Sequence, residues 1–501
     1  MKLRLPRRRL WRCAIYVISL LLVLTAIDLT LVETRRTIHP GYETTRIDGP
    51  LQADGSIDYL MALDNRFSQG ITPENNAVPL LLRALGRKML AKNQPPDGIT
   101  DRLGMQHLPE HGDYLIEYDG YCLAHSSQGE PNPFASDAPT PIPWPLIVKP
   151  ITAQWIKENE KPLALITEAS KRPRFFIPFY GGYRPETMTE LYLPHVAPLR
   201  DVCRPFLTRA LIRLEAGDAA GFREDVLTVH RLARLLGQAS TMVERVVANG
   251  WMEIPACQVE RLAAANGKLT AEQARILAAE LEAMRDLPPI MDCIDVLERF
   301  AMLDLLQSAA RMGPARAGRL FSEVMGDRAG FSGPIYRFIP MPYEECMRRF
   351  NHFYDGAFAA TRQPSYSKCL AAMRLWDRET SKIRAKNRVA LMLTADWPVM
   401  FFMPSLFRPY TLEYRARREN RLTQVALALA AFKGDHHAYP ATLAELSPGY
   451  LRAIPIDLFS EKPLIYSPTA KGYKLYSVSS NIVDEGGSST KPADDIEVNV
   501  P

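Results

Sequence analysis

Few histidines, cysteines and carboxylates stand close enough along these 501 residues to share an ion. The run His107-Leu108-Pro109-Glu110-His111 matches the HxxEH pattern of inverted zinc peptidases, in which two imidazoles on one helix hold zinc beside a glutamate base. That chemistry needs both rings on one helix face, and Pro109 with Gly104 and Gly112 argues against a helix there. Adding Cys122 and His125 gives H-x3-H-x10-C-x2-H, four donors suited to tetrahedral zinc if the chain folds back on itself. Surface-loop histidines beside one buried cysteine are the plainer reading of the same residues. His436 and His437 follow an apolar helical run, where imidazoles complement the negative end of the dipole, so they are expected as cap residues. The sequence holds no GxSxG elbow, no phosphate-binding GxxxxGK[ST] loop and no GxGxxG after a strand, which lowers the odds of the commonest enzyme classes.

The zinc candidates fall in residues 33–150, read as a linker and a mixed subdomain. Its first clear helix is expected over PENNAVPLLLRALG (Pro73–Gly86), with Pro73 in the first turn and Leu81, Leu82 and Leu85 on the apolar face. Residues 131–150 contain seven prolines, too many for a helix or a central strand, so an extended surface loop is expected. Residues 151–388 form the α-helical domain. A helix is expected around Trp155–Ser170, followed by RPRFFIPFYGGYRP, an irregular piece packed by its own rings. Phe206, Leu207, Ala210, Leu211 and Leu214 make one stripe ending at Gly217, and Phe222, Val226, Val229, Ala233 and Leu236 make a second ending at Gly237. So short a turn makes these two helices antiparallel neighbours. Thr270 and Gln273 spell a capping box for another helix through about Arg285, and Ile290, Ile294, Leu297, Ala301 and Leu305 continue the pattern. No 34-residue consensus repeats, so an irregular hairpin array is expected.

Composition bounds the class. With 47% apolar and 23% charged residues the chain can bury large cores, and its length suits two or three domains. The net charge of +5 is misleading, because Lys2, Arg4, Arg7, Arg8, Arg9 and Arg12 supply six positive charges and leave residues 13–501 at −1. A nucleic-acid binder would spread such charge over a folded face. Here the basic tail, residues 1–10, precedes WRCAIYVISLLLVLTAIDLTLV (11–32), which as a helix would span about 33 Å and cross a bilayer. The expectation is a single-pass anchor with a cytoplasmic N-terminus in a bacterial inner membrane, the rest lying outside the cytoplasm; a cleaved signal is the alternative. Cys13 lies in that segment, and six further cysteines with no CxxC pair can be disulfides or buried thiols. A second apolar run, VALMLTADWPVMFFMPSLF (389–407), is broken by Asp396, Pro398 and Pro404 and flanked by basic residues on both sides. A buried or membrane-resting helix is expected there in preference to a span.

Residues 389–501 form the last unit. Leu422, Val425, Leu429 and Phe432 face one side of a helix stopping at Gly434, then Pro463–Ser467 and Tyr473–Val478 alternate as strands around a turn at Lys471–Gly472. ALALAAFKGDHHAYPATLAEL, YLRAIPIDLFSEKPLIYSP and GYKLYSVSSNIVDEGG, in that order with DDI near the end, resemble the C-terminal half of type II secretion major pseudopilins. The whole chain is similar to a group of bacterial membrane-anchored proteins. The pseudopilin resemblance implies a calcium-stabilised loop, for which Asp484, Glu485, Asp494 and Asp495 around Gly486–Gly487 offer hard oxygen donors; an acidic tail without an ion is the alternative.

The fold class expected is α+β, mainly α: a transmembrane helix, a helical hairpin domain, and a C-terminal helix with a small antiparallel sheet. The expected partners are the lipid bilayer and one or more proteins, with no nucleic acid. The expected role is structural or interactive, with an extracytoplasmic metal-dependent hydrolase as the alternative.

Overall fold

A computed structural model describes Ser19 and residues 38–90, 96–106, 108–125, 150–179, 185–191, 193–312, 314–325, 341–386, 390–391, 394–402, 407–469, 472–488 and 496–500. The expected anchor at 11–32, apart from Ser19, and the proline-rich loop, apart from Pro150, lie outside the described residues. No helix among the described residues is long and apolar enough to cross a membrane.

The described chain is mainly helical with a small antiparallel sheet near the C-terminus. Its early helices are α1 (Tyr59–Phe67), α2 (Val78–Leu85), α3 (Pro96–Arg102), α4 (Tyr118–His125), α5 (Pro150–Glu158) and α6 (Glu160–Ser170). Helix α2 starts five residues later than Pro73. Thr72 and Asn75 exchange side-chain bonds with each other's backbone N–H at 2.9 and 3.3 Å, and Asn76 Nδ2 donates to Phe176 O at 2.8 Å. These local bonds hold the backbone in a turn, and Pro79 takes the first-turn position instead. The helix expected at Trp155–Ser170 is broken at Asn159, whose buried side chain accepts from Ile116 N at 2.7 Å and donates to Trp155 O at 3.0 Å. Pro162 suits a fresh first turn.

Next come α7 (Val196–Asp201), α8 (Cys203–Glu215) and α9 (Ala219–Leu236), the last two pairing as the expected hairpin. Helix α10 (Met242–Val247) runs through a π-helical turn (Ala248–Glu253) into α11 (Ile254–Ala265). Helix α12 (Ala271–Ala283) begins on the expected box: Thr270 Oγ1 accepts from Gln273 N, and Gln273 Oε1 accepts from Thr270 N at 2.9 Å. Another π turn (Ile294–Glu298) leads into α13 (Arg299–Met312), followed by α14 (Pro314–Met325), α15 (Tyr343–Thr361), α16 (Tyr366–Arg384), α17 (Trp397–Phe402) and α18 (Phe407–His436). The sheet has order β1 (Ile465–Pro468), β2 (Tyr473–Ser477), β3 (Ile496–Val500), with Ile465 opposite Tyr476 and Tyr473 opposite Val500.

Three apolar cores result. Helices α2, α5, α6, α8 and α9 enclose Leu82, Trp155, Leu163 and Phe206. Helices α13 and α15 to α17 enclose Leu303, Phe350, Cys369 and Trp397. The outer faces of α8 and α9 join α12, α18 and β2 around Phe222, Leu277, Leu427 and Leu475. The apolar run at 389–407 is part of the second core, because Leu391, Ala395, Trp397 and Val399 are buried in it. All six described cysteines are buried and outside any disulfide.

Candidate functional site

One helical run, Met242 to Ala265, carries both polar groupings that could do chemistry. Its first turn is built by a capping box: Glu244 N donates to Thr241 Oγ1 at 3.1 Å, and Glu244 Oε2 accepts from Thr241 N and Oγ1 at 3.1 and 2.7 Å. That leaves Glu244 Oε1 for His195 Nε2, 2.6 Å away, with both side chains buried. Glu244 thus accepts from Nε2, and Nδ1 is the second hydrogen-bonding atom of the ring. Among the described residues no side chain or backbone group takes that Nδ1.

This pair closes the polar end of a narrow cleft. Phe67, Phe175, Phe176, Phe179, Ile177, Leu191 and Leu193 form its apolar wall, and Ser240 stands beside the pair. The open space is about 40 Å³, room for roughly three waters or one small group. The aromatic segment RPRFFIPFYGGYRP supplies much of the wall, which is the ring-packed role expected of it.

Deeper, His230 sits in the middle of α9 with no exposed surface. Its Nδ1 lies 2.8 Å from Glu253 Oε2 and its Nε2 lies 3.2 Å from both oxygens of Glu260. Glu253, Cys257 and Glu260 follow one another at i, i+4 and i+7, a single helix face turned toward α9. Arg234 Nη1 and Asn420 Nδ2 donate to Glu253 at 2.9 and 2.8 Å. Burial disfavours the imidazolium, yet the two carboxylates outweigh it and raise the His230 pKa to about 9. Burial likewise opposes the Glu253 charge, but His230 and Arg234 hold that carboxyl well below the usual range. The Cys257 thiol is pushed well up by burial, then by Glu253 and Glu260. Glu419 continues the network, meeting Arg261 at 2.6 Å and Arg418 at 3.0 Å.

Of the four residues expected to hold zinc, the three described ones, His111, Cys122 and His125, form no shared donor group. His107 lies outside the described residues, His111 is exposed in a non-helical loop, and Cys122 is buried on α4. His125 is exposed on that helix, stacked on Tyr121 with its Nδ1 2.9 Å from Tyr121 O. Among the described residues, the one group that brings three metal-donor side chains together is His230, Cys257 and Glu260. Of the calcium candidates, Asp494 and Asp495 lie outside the described residues. Asp484 Oδ1 accepts from Tyr476 OH and Gly486 N, each at 2.9 Å, and Glu485 Oε1 accepts from Asn481 Nδ2 at 2.5 Å. Helix α18 runs two residues past the expected stop at Gly434; the ring of His436 packs 4.2 Å from that of Phe432, and the backbone N–H of His437, at φ +59°, closes the helix on Lys433 O.

Sequence reasoning passed over His230, Glu253, Cys257 and Glu260. The spacing E-x3-C-x2-E in a helix was the legible signal, but its partner histidine is more than twenty residues upstream on another helix. No family model matches the chain, and no curated protein or solved structure is detectably similar to it.

Proposed function

We propose that this chain is a membrane-tethered, extracytoplasmic binding protein, and that its helical body captures a small neutral molecule in the cleft at His195. The observation that carries this reading is the convergence of apolar walls on one hydrogen-bonded polar pair, the arrangement typical of ligand sites. The chemistry of the pair defines the ligand class. The wall favours an apolar body, and His195 Nδ1, which no described residue occupies, offers that body one polar contact. The ligand is therefore a small apolar body with one hydrogen-bonding group. The basic tail and apolar segment at 11–32 support the tether, and the pseudopilin-like order of residues 389–501 supports placement outside the cytoplasm.

Ethanol and acetonitrile, alike in size and differing in the hydroxyl, test the cleft, which is far smaller than the roughly 150 Å³ that holds a benzene ring. Ethanol is expected to raise the melting temperature saturably, by about 2 °C at a hundredfold excess over its dissociation constant, and acetonitrile to raise it less. Leu191→Trp fills the cleft without touching His195 or Glu244 and abolishes the shift. Equal responses to both compounds, or a shift that survives Leu191→Trp, would sink the reading.

A further inference from the structure

We propose that His230, Cys257 and Glu260 form a structural zinc site that pins α9 to α11. Zinc takes imidazole nitrogen, thiolate sulfur and carboxylate oxygen at about 2.0–2.3 Å, and donors at those lengths around a tetrahedral ion stand roughly 3.4–3.6 Å apart. His230 Nε2 is 3.2 Å from each Glu260 oxygen, and the three donor atoms all lie within 4.8 Å of one another. The imidazole and the carboxylate already stand close to that separation, and closure on an ion falls to the thiol. A thiol, an imidazole and a carboxylate make a borderline-soft set suited to zinc and poorly suited to calcium or magnesium.

The surrounding residues supply what such a site needs. Glu253 accepts from His230 Nδ1 at 2.8 Å, which leaves Nε2, once its proton is released, as the metal-binding atom beside Glu260. A carboxylate behind a ligating histidine is the usual second layer of a zinc centre. Arg234 and Asn420 hold that carboxylate in turn. Charges balance: a divalent ion offsets the Cys257 thiolate and Glu260, while Arg234 offsets Glu253. Binding converts imidazolium and thiol to imidazole and thiolate, so two protons leave to solvent as the metal–nitrogen and metal–sulfur bonds form. His230 and Glu260 are fully buried, so no coordination position opens to a substrate and the ion's role is structural. The rival arrangement is a metal-free one in which a protonated His230 is shared by the two glutamates.

The full chain, purified without chelator from zinc-supplemented culture, separates these arrangements by elemental analysis. Chelator-stripped protein is then titrated with cobalt(II), and the near-ultraviolet thiolate-to-cobalt charge-transfer band is recorded. The zinc site requires one zinc per chain, a cobalt band in the wild type, and its loss in Cys257→Ser. Glu253→Gln, which keeps the shape but weakens the orienting bond, lowers zinc affinity about 10–100-fold. Folded wild-type protein that neither retains zinc nor shows the band overturns the proposal, as does a band that persists in Cys257→Ser. The wild-type spectrum decides the matter even where a variant fails to fold, and the ethanol response of the cleft is read independently.

Discussion

Asp396 shows how one side chain reassigns a whole segment. It interrupts the apolar run at 389–407, yet it is only 1% exposed. Its carboxylate meets Arg349 Nη1 at 3.0 Å, Lys386 Nζ at 2.5 Å and Thr394 Oγ1 at 2.6 Å. Lys386, which looked like a topology signal beside a membrane segment, is the ion partner of an acid buried in a core. Burial opposes the charge, but Lys386, Thr394 and Arg349 prevail and hold the Asp396 carboxyl below its ordinary range. A carboxyl depressed in the folded state stabilises the protein above its unfolded value, and that stabilisation is lost as pH falls through the folded value. Wild-type protein is therefore expected to lose more stability than Asp396→Asn as pH falls from about 5 to about 2, with most of the difference appearing below the ordinary carboxyl value near 4. At neutral pH the variant is expected to be the weaker by about 1–3 kcal/mol, since its partners are partly exposed and rehydrate. Urea melts across that pH range read both effects; parallel pH profiles would refute the assignment.

At the scale of elements, α18 is the spine of the C-terminal half. Tyr410 near its start enters one core and Leu422 to Leu429 enter another, so the helix is buried on several sides. Its sequence shows weak periodicity for that reason. Ion pairs let charged residues of its polar first half be buried: Glu413 meets Arg417 at 2.8 Å and Glu419 meets Arg261. Helix α12 lies close along it, and a Cβ at Gly434 would stand 2.8 Å from Ala271 Cβ. Two substitutions separate local from tertiary contributions here. Thr270→Ala removes the cap of α12 and is expected to cost about 1 kcal/mol. Leu427→Ala empties a position with no exposed surface and is expected to cost about 2–5 kcal/mol. Chemical denaturation measures both, and a cap loss as large as the core loss would contradict this division. The loop at Asp457 belongs to the same unit: the buried carboxylate accepts from Ser477 Oγ at 2.8 Å and Phe459 N at 3.1 Å, tying the segment before β1 to the end of β2.

For the whole molecule, the six positive charges of the first twelve residues concentrate the basic excess beside the apolar stretch at 11–32. Among the described residues the buried members of the three cores run from Ile57 onward, with Ile38 and Ile47 packed against the second, so the helical body has its own means of folding. A chain lacking residues 1–32 is expected to leave the membrane fraction on carbonate extraction while keeping the helical circular dichroism of the intact protein. Retention in the membrane would show that another segment, 389–407 first, touches lipid.

Local chemistry was readable from the sequence alone: the hairpin of α8 and α9, the Thr270 box, and the strand pair at Ile465 and Tyr473. Each depends on contacts within a few residues, where helical and strand periods and capping rules act directly. Tertiary structure alone decided the rest. The start of α2 moved because Asn76 binds Phe176 O, a hundred residues away. The zinc candidates around His111 dispersed because Cys122 turned into a core while His111 and His125 stayed exposed. His230, Cys257 and Glu260 came together because α9 packs against α11. A metal-donor set assembled across two helices leaves no fixed spacing in the chain, and only the packing of those helices brings its atoms within reach.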